Sequence, residues 1–174
     1  MTTTQPMGEI IDGDPPVLRF VRHLGHRPEK VWRALTESEH LRAWLPCDMV
    51  GDRAEGAPIE LPFWPEVAAK YDMGDDPTPT GTIEQWDPPR RFQWTWGGDI
   101  VRFELEPDGE GTTLTLTTWV HEIPPTGVTS VAAGYHVCLD HLGQLLDTGS
   151  APSVAADDPT PLEERYAARL AGQP

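Results

Sequence analysis

The sequence predicts an α+β fold in which one long helix lies across an antiparallel sheet. Two observations carry that expectation. Residues 80–120 read TGTIEQWD, RRFQWTW, IVRFELE and TTLTLTTWV, separated by PP, GGD and PDGEG. Phe92, Trp94 and Trp96 alternate with Gln93 and Thr95, Val101, Phe103 and Leu105 with Arg102 and Glu104, and Leu114 and Leu116 with threonines. A period of two between short turns describes a meander with one apolar and one wet face. Residues 127–148 then switch to a helical period. Val128, Val131, Ala132, Tyr135, Cys138, Leu139, Leu142, Leu145 and Leu146 share one broad arc, and His136, Asp140, His141, Gln144 and Asp147 lie opposite. About six turns result, enough to cover a whole sheet.

The remaining elements follow in chain order. Residues 1–15 carry few apolar anchors and read as a flexible leader. In VLRFVRHL, Leu18, Phe20 and Leu24 share a parity, as in a half-buried strand. Pro28 opens a helix at its first position, where the missing N–H costs nothing. The stretch VWRALTESEHLRAWL then poses a choice between one helix and two. Thr36 and Glu39 have capping-box spacing, Ser38 is a good N-cap, and Leu41, Trp44 and Leu45 form a fresh apolar face. Two short helices with a corner at residues 36–38 fit best, and Pro46 ends the second. IELPFW reads as a short edge strand because Pro62 and Pro65 remove ladder donors. Residues 74–79 read as a loop, 150–161 as a linker, and Leu162, Tyr166 and Leu170 as the stripe of a terminal helix packing back on the domain. The expected division is thus a leader over 1–15, one domain over 16–149, and a linker with a short helix over 150–174.

Composition narrows the function classes. A chain of 174 residues fits one domain and buries roughly 70 % of the surface exposed when unfolded. Its formal charge is −15, with 13 Lys and Arg against 28 Asp and Glu, and its lysines are Lys30 and Lys70 alone. A phosphate backbone or anionic membrane surface requires clustered cations, so neither is an expected partner. The acidity favours solubility, and leaves room for a basic protein partner. Cys47 and Cys138 have no metal or redox spacing. The opening MTTTQPMGEIIDGDPP has no secretion-signal pattern, and no segment approaches the ~20 apolar residues of a membrane span. The expectation is a cytoplasmic protein with reduced thiols, monomeric or homodimeric, without metal or cofactor.

Four stretches, VWRALTESEHLRAWL, GTIEQWDPPRRFQWTWGGD, FELEPDGEGTTLTLT and AAGYHVCLDHLGQLLD, occur in an order that resembles the START-like (SRPBCC) superfamily. Within it they are similar to the branch of the activator of the Hsp90 ATPase C-terminal domain. The resemblance covers about Leu18 to Asp147. It implies a helix-grip (START/Bet v 1-like) fold, a curved sheet wrapped around the long C-terminal helix with a cavity between them. Two departures stand out: Gln85 where a glutamate is expected, and a Pro- and aromatic-rich segment 58–76 in place of a Gly-rich hairpin.

The residues expected to line such a cavity are Trp44, Trp64, Tyr71, Gln85, Phe92, Trp94, Trp96, Phe103, His121, Tyr135, Cys138 and Leu142. Large aromatics contact apolar ligands well, but they also fill space. No catalytic residue is assigned. His136 and Asp140 stand at i, i+4 and read as a solvated pair, and His121 as a rim histidine. Three readings stay open: a module holding a small apolar or aromatic molecule, an enzyme of the polyketide cyclase or dehydrase type using Gln85, Tyr135 and His121, and a co-chaperone-like interaction domain.

Overall fold

A computed structural model describes residues 5–74 and 78–172. Seven antiparallel strands form one sheet in the order β1-β2-β7-β6-β5-β4-β3, comprising β1 (Glu9–Ile11), β2 (Val17–Leu24), β3 (Pro58–Glu60), β4 (Thr80–Asp87), β5 (Arg91–Trp96), β6 (Asp99–Asp108) and β7 (Gly111–Trp119). The predicted meander is β4–β7, with boundaries within two residues of those predicted. One face of the sheet carries the core and packs against α4 (Val128–Thr148), which ends where Gly149 takes the left-handed conformation (φ 85°). This is the helix-grip arrangement.

The corner in VWRALTESEHLRAWL is real: α1 spans Pro28–Thr36 and α2 spans Ser38–Trp44. Its chemistry differs from the expected capping box. Glu37 turns extended (φ −87°, ψ 128°), and Thr36 Oγ1 donates back to the Trp32 carbonyl at 2.8 Å instead of capping α2. Arg53 ties the corner down, donating Nε to the Thr36 carbonyl at 2.9 Å and Nη2 to the Met49 carbonyl at 2.8 Å. The guanidinium thus satisfies the Thr36 carbonyl at the end of α1 and ties it to Met49, while the N-terminus of α2 has no side-chain cap.

Other segments were less visible in the sequence. Part of the stretch read as a leader is the edge strand β1, and residues 1–4 lie outside the described residues. The loop expected over 74–79 also lies partly outside them. A short helix, α3 (Pro65–Lys70), follows β3. Beyond α4 the chain makes a 3₁₀ turn at Val154–Ala156 and then α5 (Thr160–Ala171), whose stripe is the predicted one.

That C-terminal segment explains a correction. His136 and His141 sit on the flank of α4 that the sequence assigns to solvent, yet they are 2 % and 4 % exposed. The segment covers them. His141 Nδ1 lies 2.7 Å from the Pro152 carbonyl and Nε2 3.0 Å from Asp157, and His136 Nδ1 lies 2.8 Å from the Tyr166 hydroxyl. The hydroxyl also accepts the Gly8 N–H at 2.9 Å, joining both ends of the chain to α4. The two lysines fasten α4 and the segment that follows it, respectively. Lys30 Nζ donates to the Leu146 carbonyl at 3.0 Å, and Lys70 Nζ to the carbonyls of Ala155 and Asp157.

Candidate functional site

The space between sheet and α4 is built from rows of residues that the strand registers align. One row runs Leu18, Thr118, Val101, Trp94, Ile83 across β2, β7, β6, β5 and β4. The next runs Phe20, Leu116, Phe103, Phe92, Trp86. Phe92, Trp94 and Phe103 form a stacked ladder with centroids 4.6 and 5.7 Å apart and interplanar angles of 28° and 19°. All three are at most 1 % exposed. Such pairs contribute about 0.5–1.5 kcal/mol each beyond their burial. In the middle of the sheet these aromatics fill the interior.

Several expected lining residues have other positions. Trp44 is 1 % exposed, packs edge-on against Phe103 and donates Nε1 to the Ala34 carbonyl at 2.8 Å. It belongs to the core and does not border an opening. Trp64 is half-buried on the far side of α2, with Nε1 on the Leu45 carbonyl and the Arg42 guanidinium 5.0 Å from its ring. Tyr71 is 54 % exposed and lines nothing internal. His121 is exposed, and its backbone N–H donates to Asp99 Oδ1 at 2.7 Å.

Gln85 is displaced by a register shift. A bulge between Ile83 and Gln85 places Gln85 opposite Gln93 on the face away from α4, where Gln93 bonds Glu84 and Arg102. Simple alternation from Ile83 would have pointed it inward. The acid–base role considered for Gln85 therefore has no place in the interior.

Trp96, Tyr135, Cys138 and Leu142 do face the interior side. Cys138 is 7 % and Leu142 1 % exposed, and burial pushes the Cys138 thiol up to about 12. Trp96 and Tyr135 are half-buried at the end of the sandwich where β5 and β6 turn, and Phe63 lies 6.2 Å from Trp96. Burial also raises the Tyr135 phenol well above its ordinary value, so it is a neutral donor at neutral pH. Asp99 stands at the same end, opposite Trp96 in the register. Burial raises its carboxyl, while the His121 and Glu122 N–H groups, bonded to Oδ1, hold it down.

In the first row the buried Trp94 Nε1 has no hydrogen-bond partner among the described residues, and the buried Thr118 hydroxyl faces the Tyr135 phenol, which it holds down against the effect of burial. Thr118 is 0 % exposed. Sequence alternation marked the outward threonines of β7 but gave no reason to single out this inward one. An inward threonine among leucines, two strands from Trp94, was nonetheless a readable signal.

Surface hollows lie elsewhere. One open groove of about 740 Å³ runs between the α1–α2 corner and residues 48–53, with Glu37, Glu39 and Asp48 on its rim. Glu37, Glu39 and His40 bring one donor atom each within 4.8 Å of one another. His40 Nε2 lies 3.4 Å from Glu37 and 3.6 Å from Glu39. Among the described residues, no helix is long and apolar enough to cross a membrane.

Comparison with known proteins agrees with this architecture. The chain superposes on a conserved protein of unknown function from Enterococcus faecalis with a TM-score of 0.73 at 19% identity, covering 94% of this chain and 90% of that one. A protein of Bordetella parapertussis gives 0.69 at 27% identity, with 98% and 96% covered. CalU16 of Micromonospora echinospora gives 0.65 at 22% identity, with 95% and 96% covered. No curated protein matches the sequence. The model of the family described as activator of Hsp90 ATPase homolog 1-like protein matches residues 26–147, from just before α1 to the last turn of α4. The chain belongs to that family, within the START-like superfamily.

Proposed function

We propose that this protein binds a small apolar or aromatic molecule bearing one polar group, at the Trp96–Tyr135 end of the space between sheet and α4. The observation carrying this reading is the buried, unpartnered Trp94 Nε1, in the same sheet row as Thr118, whose hydroxyl faces the Tyr135 phenol. Leaving a buried donor or acceptor unsatisfied costs about 1–3 kcal/mol, and a ligand carbonyl or hydroxyl would recover that cost. The half-buried rings of Trp96, Tyr135 and Phe63 supply the apolar walls. Binding is favoured over catalysis because the Asp99 carboxylate is committed to holding the chain after β7 and the Tyr135 phenol is kept neutral by burial.

Untargeted mass spectrometry of the purified full chain after mild denaturation tests the proposal. The expected result is one reproducible apolar species whose yield falls in Thr118→Val and Trp96→Ala but not in Trp64→Ala. Repeated preparations without such a species, together with no saturable tryptophan quenching by a naphthalene-type probe, would refute it.

A further inference from the structure

Arg22 lies on the core-facing side of β2, in phase with Leu18 and Phe20. It is 3 % exposed. A buried cation is ordinarily paired, because several kcal/mol of lost hydration must otherwise be met elsewhere. Arg22 meets that need at one nitrogen only, donating Nη1 to the Val21 carbonyl at 3.0 Å. Nε and Nη2 have no hydrogen-bond partner among the described residues. These two are not a random pair. Their N–H bonds run parallel along one edge of the guanidinium, the edge that holds both oxygens of a carboxylate at once.

The groups around this edge come from four elements. Phe20, on β2 itself, places its ring 5.8 Å from Cζ. The Gly8 N–H, just before β1, bonds the Tyr166 hydroxyl of α5, and that hydroxyl bonds His136 of α4. Asp140, also on α4, pulls the Arg22 proton affinity up, but burial lowers it by more. Asp140 sits instead 3.6 Å from His136 Nε2 and is itself raised by burial. Asp140, with its side chain 42 % exposed, therefore leaves the guanidinium edge uncompensated.

We propose that the Nε/Nη2 edge of Arg22, between β2, α4 and α5, is a binding site for a small carboxylate. A singly charged, planar anion fits both the parallel donors and the field, since Asp140 and a net charge of −15 oppose a dianion. The site is independent of the apolar site proposed above: Arg22 pairs with Leu114 near one end of β7, whereas Trp119 marks the other. α5 acts as its cover. Its fully buried side chain is Tyr166, at 0 %, whose hydroxyl bonds Gly8 and His136 and so holds that cover in place.

The test uses the ¹⁵N-labelled full chain at pH 7.5 and constant ionic strength, titrated with sodium acetate, sodium phosphate or sodium chloride. The Arg22 Nε–Hε resonance should move saturably with acetate, at least tenfold less effectively with phosphate, and not with chloride. Arg22→Lys, which keeps the charge but loses the parallel donors, should weaken acetate binding at least tenfold, read from the Gly8 amide. Asp140→Asn should strengthen it severalfold by removing the competing charge. An identical response to all three anions, an acetate response retained in Arg22→Lys, or weaker acetate binding in Asp140→Asn would overturn the proposal. The resonance of the unmodified protein decides the matter even if a variant fails to fold.

Discussion

Acidification should loosen the clasp formed by Gly8, Tyr166 and His136. In the folded protein burial, aided by Arg22 and Arg165, lowers His136 from 6.5 to about 4. The Asp140 carboxylate at 3.6 Å favours the charged ring, but desolvation outweighs it. A depressed imidazole stays neutral in the fold while the unfolded chain takes up the proton. Its contribution is therefore intact above pH 6.5, falls as the pH drops below that value, and is fully lost near pH 4. At 1.36 kcal/mol per pH unit, the interval amounts to about 3 kcal/mol. Asp99 and Asp140 act in the opposite sense, because carboxyls raised by folding bind protons better in the native state. The wild-type profile alone mixes these signs. Urea denaturation of wild type and His136→Gln from pH 7 to 4 isolates the histidine: the stability gap between them should shift by about 3 kcal/mol in favour of the variant. A gap constant to within about 0.5 kcal/mol across that range would refute the assignment of His136 as a buried neutral base.

Three further outcomes are expected. Tyr166→Phe removes the hydroxyl shared by Gly8 and His136 and should cost about 1–3 kcal/mol, with faster amide exchange at Gly8; unchanged Gly8 exchange would contradict the clasp. Thr118→Val replaces the hydroxyl facing the Tyr135 phenol by an isosteric methyl and should cost the unliganded protein at most about 1 kcal/mol; a larger loss would show that this hydroxyl anchors the phenol and is not free for a ligand. Gly81→Ala would place a Cβ 1.8 Å from the Thr95 carbonyl oxygen, a backbone atom that cannot move aside without breaking the β4–β5 pairing. It should destabilise by about 4 kcal/mol or more, measured by thermal melting; a neutral result would mean that β4 and β5 do not approach so closely.

The strands β5–β7, the two short helices and α4 were legible because each carries an unbroken period, two or 3.6, between turn residues. Alternation failed where the backbone breaks phase: the bulge at Glu84 turned Gln85 outward, and nothing in TIEQW announces it. The flank of α4 was misread for a different reason. His136 and Asp140 look solvent-facing on any helical projection, and only the fold of residues 150–171 buries the histidine. Arg22 was legible and overlooked, since it shares its parity with Leu18 and Phe20. Half of the candidate site was legible in the same way, through the inward aromatics of β5. Burial depth was not, because periodicity tells which way a ring points and says nothing of how many neighbours close over it.

Both lysines donate to main-chain carbonyls at or beyond the end of α4, Lys30 to Leu146 and Lys70 to Ala155 and Asp157. The Lys70 amine is thus a reporter of whether the segment after α4 is seated, and Lys30, tied to α4 itself, is its internal reference. Acylating reagents should modify Lys70 faster, relative to Lys30, whenever that segment is displaced, so the ratio of the two mass shifts reads its seating without any engineered probe. Acetylation of Lys70 would remove the charged donor that holds the segment down.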